Sequence, residues 1–569
     1  MELTDNALTV LKSRYLKDGE NWDDCVKRII KEISRNDSDE NFISNTKDVI
    51  YNLDFIPAGR ILRNIGKIKP AMMNCNLIPI EDNIESIGEA IKSSLIIASF
   101  GGGCGYLFSA LRPKGATLST KGGESSGMCS FIKAIDITGQ TIESGGQRRS
   151  ANIAICDIGH PEIEEFVSLK SKQGEISQFN LSVGVNNLFL EAVERDSNWD
   201  LIFNNTVYKT ISARKLWLKI IKSMVDTAEP GIIYMDNLKK NNTYYFQPII
   251  GTNPCGEQPL GNWGSCCLGA INLNNCVNGK RTDWIKLENL INTGVRFLDN
   301  IIDINYYPIQ ELEVVAKESR RIGLGIMGLA EYFFKKEIRY GSQECLNELE
   351  KLFKFFSTRA YNASIELAKI KKPFPKFDKV QYGKASFIRK LPVSLRMRIK
   401  EFGIRNSNII TAQPTGTTSL IPNVTGGIEP LFSKAYLRKD RISERVYIHP
   451  IYEKMIENNE EIPDYFVDSF DLTPEEHLSV QATLTKYNDS AISKTINLPS
   501  DYTADKLDKL LLEYIYDLKG VTVYRDGCRD GQVLNRITLE EAKEYIKSKK
   551  TDNNLQEQDV SCASGKCTL

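Results

Sequence analysis

The chain has 569 residues, with 73 basic and 73 acidic side chains and 41% hydrophobic residues. This length exceeds the roughly 250–300 residues at which one hydrophobic core stops growing, so it predicts one very large domain with appendages, or two to three domains. Balanced charge excludes a protein whose main task is to coat nucleic acid or an anionic membrane, because excess Lys and Arg hold such partners, and any phosphate binding must be local.

In chain order, residues 1–70 read as a charged helical region, with Val26, Ile29, Ile30 and Ile33 of Trp22 to Ile33 on one helical face. From Ala71 to about Leu188 short apolar runs (Asn76 to Ile80, Ala151 to Ile155) alternate with glycine clusters, a texture of strands, loops and helices that predicts an α/β sheet or barrel. The longest apolar run, Ser93 to Phe100, stops at Gly101 and is far short of the roughly 20 residues a membrane span needs, so no membrane partner is expected. Ser212 is placed to cap a helix over Arg214 to Ala228, and longer helical patterns follow at 308–335 and 344–371. Asn408 to Pro430 and Gly520 to Leu534 look strand-like. The last segment, 536–569, reads as a flexible tail. Its end, from Lys549, is polar, lacks core-forming side chains and carries Cys562 and Cys567.

Thirteen cysteines form the unusual part of this composition. Their odd number, and an N-terminus without a secretion-signal pattern, place the chain in a reducing cytoplasm. With only three histidines (His160, His449, His477) and no Cys-x2-Cys pair, no metal ligand set is expected from the side chains, and the chemistry is expected to run on sulfur. Asn253-Pro254-Cys255-Gly256-Glu257 places a thiol and a carboxylate two residues apart, on the same side of an extended backbone, with Asn253 beside them. The competing reading is a tight loop with an incidental cysteine. Cys266, Cys267 and Cys75 could supply a redox pair, although spacing along the chain does not fix distance in space. Cys562 and Cys567 suit thiol exchange, since about twenty extended residues reach roughly 60 Å.

Asn253 to Glu257, Ser265-Cys266, Gln413-Pro414-Thr415-Gly416-Thr417-Thr418-Ser419 and Gly427-Ile428-Glu429-Pro430-Leu431 together resemble the ribonucleotide reductase catalytic subunit. Gly102 to Tyr106, Gly145 to Asn152 and Gly520 to Gly527 are most similar to its class II, adenosylcobalamin-dependent branch. The resemblance covers roughly residues 40–535. It implies a ten-stranded α/β barrel with a central finger loop over 71–535, preceded by the helical region and followed by the redox tail. It implies that Cys255 becomes a thiyl radical that abstracts the 3′ hydrogen of the ribose, that Glu257 takes the 3′-hydroxyl proton, and that Asn253 binds the sugar. Cys75 and Cys266 would reduce the 2′ position and end as a disulfide, which Cys562 and Cys567 would reduce in turn, themselves restored by a thioredoxin- or glutaredoxin-like partner. Pro414, Thr415, Gly416, Thr417, Thr418 and Ser419 would hold the substrate phosphates. A following helix start would add its positive end. Asp82, Arg112, Arg148 and Arg149 fall where the family places contacts with deoxyribonucleotide or ATP effectors, and the family implies a homodimer.

The radical source separates the classes. Class I relatives carry two consecutive tyrosines near the barrel end, where this chain reads Tyr524-Arg525; class III enzymes have a clustered-cysteine zinc site and no counterpart of Glu257. Adenosylcobalamin is the implied cofactor, with ribonucleoside diphosphates the expected substrates. A class I-type subunit needing a separate metal partner, and an inactive nucleotide-binding regulatory protein, are the alternatives. Cys267 departs from the family's usual asparagine and sets a second thiol beside Cys266.

Overall fold

The computed structural model describes residues 3–118, 122–141, 151–171, 176–439, 444–528 and 534–548. Helices Asp5–Arg14, Trp22–Ser34 and Glu40–Tyr51 open the chain. The second begins in a reciprocal cap between Asn21 and Asp24 and buries Trp22, Cys25, Val26, Ile29 and Ile33, while Ile30 is only partly covered. The N-terminal region is not wholly helical, because Phe55–Pro57 forms a strand antiparallel to Leu268–Asn272.

A seven-stranded sheet runs in the order Thr495–Leu498, Gly520–Arg525, Gly231–Tyr234, Phe179–Val185, Asn152–Asp157, Gly103–Leu107, Cys75–Leu77. Five neighbouring strands, from Gly231–Tyr234 to Cys75–Leu77, are parallel, as are the two at the other edge; the two groups meet antiparallel. A second sheet holds Leu268–Asn272 between Phe55–Pro57 and a parallel strand, Gly323–Met327. Single bridges extend the edges: Asn76 to Ser265, Leu324 to Ile410, and Ala412 to Ile492.

Two hydrophobic cores flank these strands. One packs the N-terminal helices against Trp284–Ile304, Gln343–Lys371 and the second sheet. The other packs Ile84–Ser99, Met128–Gln140, Ala213–Thr227 and Ala504–Tyr514 against one face of the seven-stranded sheet, through residues such as Cys104, Tyr106, Ala154 and Val183. Strand alternation turns Gly103, Gly105, Ile153 and Ile155 to the opposite face, where the functional hairpin lies.

The helices read from periodicity at 214–228 and 344–371 are present as Ala213–Thr227, capped by Ser212, and Gln343–Lys371. The pattern at 308–335 is not one helix. It divides into Gln310–Ser319 and Leu329–Lys336 around the strand Gly323–Met327, after Arg320 turns into the left-handed region at φ 47°. That strand is buried along its whole length, so it lacks the polar alternation that separates strand from helix. Asn408 to Pro430 carries only isolated bridges, and hydrogen-bonded turns rather than a helix follow Pro414. The segment from 536 is not all tail. Residues 539–548 are helical, started by a reciprocal cap between Thr538 and Glu541, and Ala542 is buried in a cluster with Tyr452 and Phe466.

Candidate functional site

Two short strands, Gly251–Thr252 and Pro259–Leu260, pair antiparallel and project residues 253–258 as a hairpin. Its turn closes through the Gly256 amide on the Asn253 carbonyl (2.9 Å), and the Asn253 side chain accepts from the Gln258 amide (2.9 Å). The hairpin lies against the strand Gly103–Leu107 because Gly105 has no side chain: a Cβ there would stand 2.2 Å from the Thr252 carbonyl oxygen. Asn180, two strands along the same sheet in Phe179–Val185, donates to the Pro254 carbonyl (3.2 Å). The Ala491 amide and the Thr411 hydroxyl both donate to the Glu257 carbonyl, at 2.8 and 2.9 Å. Thus Cys255 sits exposed at the tip of a tethered hairpin, while Asn253 and Glu257 are buried.

Burial pushes the Glu257 carboxyl up to about 7, and the nearby Asn253 amide pulls in the opposite direction. Asn253 Nδ2 and Glu257 Oε2 remain buried without a hydrogen-bond partner among the described residues, as does Asn74 Oδ1 close by. Of these, Glu257 and Asn74 line the larger cavity beside the hairpin, so their free oxygens are within reach of a polar ligand there.

Cys75 and Cys266, 191 positions apart in sequence, lie on directly paired backbone. The Cys266 amide donates to the Cys75 carbonyl (3.0 Å), and the Asn74 amide to the Cys266 carbonyl (3.2 Å). Burial raises the Cys266 thiol well above its ordinary range, and the negative forms of Cys75, Glu257 and Cys255 push it further. Cys266 is therefore a protonated thiol near all three groups. Its neighbour Cys267 belongs to the other side of the backbone: it is buried in the helical core, where its thiol donates to the Leu298 carbonyl. The vicinal pair is split between two environments.

A cavity of about 260 Å³ collects Cys75, Cys255, Glu257 and the loop residues Pro414, Thr415, Gly416, Thr417 and Thr418. Ser419 stands behind this wall, buried, with its amide donated to the Thr415 carbonyl. The loop is held from behind: the Gly427 amide donates to Thr415 Oγ1 (2.8 Å), and Glu429 accepts from Lys494 and from the Thr495 amide. Three residues of this wall carried no signal in sequence: Arg14, Arg60 and Arg63, from the apparently ordinary N-terminal helices, line the same cavity.

A second cavity, of about 210 Å³, adjoins the other side of the hairpin. It also contains Cys255, together with Ser182, Gly231, Gly520, Thr522 and Tyr524 from the strands Phe179–Val185, Gly231–Tyr234 and Gly520–Arg525. Lys519 lines it too; burial lowers its ammonium to about 7, and it donates to the carbonyls of Asn488 and Ser490. None of the three histidines reaches either cavity; each is buried and bonded to backbone elsewhere.

Asp82 and Arg112 lie away from both cavities and bind each other, Arg112 Nε donating to the two carboxylate oxygens at 3.0 and 2.8 Å. Arg148, Arg149, Cys562 and Cys567 lie outside the described residues. No helix among the described residues is long and apolar enough to cross a membrane.

Family models match nearly the whole of this framework. "Ribonucleotide reductase, all-alpha domain" covers residues 1–70, and "Ribonucleotide reductase, barrel domain" covers residues 73–524. A vitamin B12-dependent ribonucleoside-diphosphate reductase of Thermoplasma acidophilum is 36% identical, across 92% of this chain and 72% of its own length. One from Mycobacterium tuberculosis is 32% identical, across 94% of this chain and 81% of its own. The ribonucleoside-diphosphate reductase large subunit of vaccinia virus is 29% identical, across 70% of this chain and 57% of its own.

Proposed function

The chain belongs to the ribonucleotide reductase family and reduces ribonucleotides to 2′-deoxyribonucleotides with a vitamin B12 cofactor, and on that premise we propose how its residues divide the work. The observation that carries the assignment is the convergence of Cys255, Glu257 and Cys75 on one cavity with the Thr-rich loop, Cys266 being paired to Cys75 through the backbone.

In this reading the ribose lies over the hairpin and its phosphates meet the loop Pro414 to Thr418, whose Thr415, Thr417 and Thr418 line the cavity, with Ser419 supporting the loop from behind. Adenosylcobalamin, when bound, supplies through homolysis of its cobalt–carbon bond the radical character that Cys255 carries. Residues of the second cavity would hold the part of such a group nearest the thiol: Ser182 and Thr522 offer hydroxyls beside Cys255, and no histidine lines this wall. Cys255 as a thiyl takes the 3′ hydrogen. Glu257 accepts the 3′-hydroxyl proton, and its raised pKa sets it near the ordinary pH of a cell. Asn253 orients the sugar hydroxyls without changing charge. The 2′-hydroxyl leaves as water with a proton from the Cys75 and Cys266 pair. Those two thiols become a disulfide as they give up two electrons and two protons, one proton leaving in that water and the other, with both electrons, forming the new C2′–H bond. Glu257 returns its proton to the 3′ oxygen, and Cys255 returns the hydrogen to C3′. Cys562 and Cys567 then restore the pair by thiol exchange, drawing on a thioredoxin- or glutaredoxin-like protein.

The same reading closes the strands into a ten-stranded barrel around the hairpin. The bridges at Asn76–Ser265, Leu324–Ile410 and Ala412–Ile492 support it, because they link the two sheets in sequence around the site. It also assigns Asp82, Arg112, Arg148 and Arg149 to effector binding in a homodimer. The exposed Ile84 and Ile137 on adjacent helices support that interface. The deciding test incubates the full chain with a ribonucleoside diphosphate, adenosylcobalamin and a small dithiol in the dark. Formation of the deoxyribonucleotide is expected without any added metal subunit. Absence of product under those conditions would sink the assignment.

A further inference from the structure

We propose that Arg14 and Arg63 are specificity residues that grip the terminal phosphate of the ribonucleotide, making the N-terminal helices part of the substrate site. The inference rests on reading the larger cavity as that site and adds the residues that recognise the length of the phosphate chain. Although the whole chain is electrically neutral, the charged side chains lining this cavity are Arg14, Arg60 and Arg63 against Glu257 alone. Glu257, with its pKa raised to about 7, is a weak counter-charge. A cavity biased in this way fits a polyanion.

The three arginines are not equivalent. Arg60 is buried and donates to the Phe100 carbonyl (2.9 Å), so it is a fixed part of the wall. Arg14 and Arg63 are partly exposed, and among the described residues neither has an ion-pair partner. Each stands in the last turn of its helix, Asp5–Arg14 and Gly59–Asn64, where a cation interacts well with the terminal carbonyls. That effect would be served on any face of either helix and does not bring both guanidiniums to one cavity.

Tyr15 accounts for the placement. Its hydroxyl is hydrogen-bonded to Thr417 Oγ1 at 2.5 Å, tying the end of the first helix to the phosphate loop across 402 positions of sequence. Its ring packs on Gly59, where a Cβ would lie 2.8 Å from Cε1. Arg14 is the adjacent residue, and Arg63 lies one turn on from Gly59. Guanidinium is suited to paired hydrogen bonds with a phosphate, which a compact ammonium cannot reproduce. The Thr-rich loop would hold the phosphate next to the ribose, and the arginines the outer one.

The test uses the full chain with adenosylcobalamin and a dithiol, and compares ribonucleoside mono- and diphosphates for Arg14→Ala, Arg63→Ala, Arg14→Lys and Arg63→Lys. Each Ala variant should raise KM for the diphosphate about tenfold, the loss of one charge-assisted contact. Saturating kcat should hold within about twofold, KM for the monophosphate should move less than about twofold, and the Lys variants should recover part of the affinity at low salt. Unchanged diphosphate KM in both Ala variants, a fall in kcat alone, or equal KM changes for both substrates would overturn the proposal. The Lys variants retain the aliphatic stem and carry the comparison if an Ala variant fails to fold. Inactive wild-type protein would instead count against the reductase reading; direct binding of the labelled diphosphate then decides, tighter binding to wild type than to the Ala variants supporting the proposal and equal binding overturning it.

Discussion

The two cavities share Cys255 but are built on different principles. The larger one is assembled from loops and helix ends far apart in sequence, and it concentrates arginines, threonine hydroxyls and unsatisfied buried amide and carboxylate atoms. The smaller one is framed mainly by strands of one sheet, with hydroxyls near the thiol and charged groups already engaged, as Lys494 is with Glu429. Under the proposed function, this contrast lets one cysteine at the tip of a hairpin face two chemistries, polyanion recognition on one side and radical supply on the other. The hairpin keeps them apart.

The largest effect should come from the shared residue. Cys255→Ala should reduce deoxyribonucleotide formation to background, while binding of the ribonucleotide and of cobalamin, each measured by equilibrium dialysis, stays near wild type. Loss of either binding would mean that the thiol holds a wall together instead of carrying the reaction.

Glu257 sharpens the same comparison from the larger cavity alone. Glu257→Gln removes the proton acceptor and should lower kcat by about 10²–10⁴-fold. In the wild type kcat/KM should rise with pH through a limb near 7, the value to which burial lifts this carboxyl. The sign for stability is opposite to that of a salt-bridged acid. A carboxyl whose folded pKa lies above its unfolded value keeps its proton longer when folded, so stability is lost as pH rises from about 4.5 to about 7. Denaturant titrations of the wild type should lose up to ~3 kcal/mol across that window relative to Glu257→Gln. Parallel pH profiles for the two proteins would show that Glu257 is not the titrating group.

A smaller and one-sided effect is expected from the other cavity. Gly231→Ala should weaken cobalamin binding by about tenfold, because a Cβ there would crowd the Ser182 and Thr522 hydroxyls at 3.1 and 3.4 Å, with ribonucleotide affinity unchanged. Equal weakening of both ligands would show that the two cavities are one coupled space.

How much of this was legible in the sequence follows from how local each signal is. The hairpin cysteine, its carboxylate and the Thr-rich loop are contiguous motifs, and helices with caps, such as Ala213–Thr227, announce themselves through Ser212 and an apolar stripe. The strand Gly323–Met327 was hidden because a fully buried strand and a helix both read as unbroken apolar residues. The helix over 539–548 is hidden in a polar segment, where the cap of Thr538 with Glu541 is a short signal. Arg14, Arg60 and Arg63 could not have been chosen from sequence, since nothing in a charged helix distinguishes an arginine facing solvent from one facing a cavity formed by residues some 400 positions away.

The smallest expected effect is that of Cys267→Ala, at the residue adjacent to one whose effect should be total. Cys266 and Cys267 share a sequence motif, but successive residues of extended backbone face opposite ways, so Cys266 packs with Leu77, Leu260 and Leu268 near the reacting groups while Cys267 enters the helical core. Burial raises both thiols, yet only Cys266 feels Cys75, Cys255 and Glu257; the charges that reach Cys267 are Asp299 and Arg320. A thiol on the far side of the strand cannot enter exchange with Cys75 without opening the core. Cys267→Ala should therefore leave turnover with a small dithiol unchanged and cost about 1 kcal/mol of stability for the small volume removed. Cys266→Ala should abolish that turnover with the fold intact. Impaired turnover in a fully folded Cys267→Ala protein would place both sulfurs in the redox path and remove the distinction.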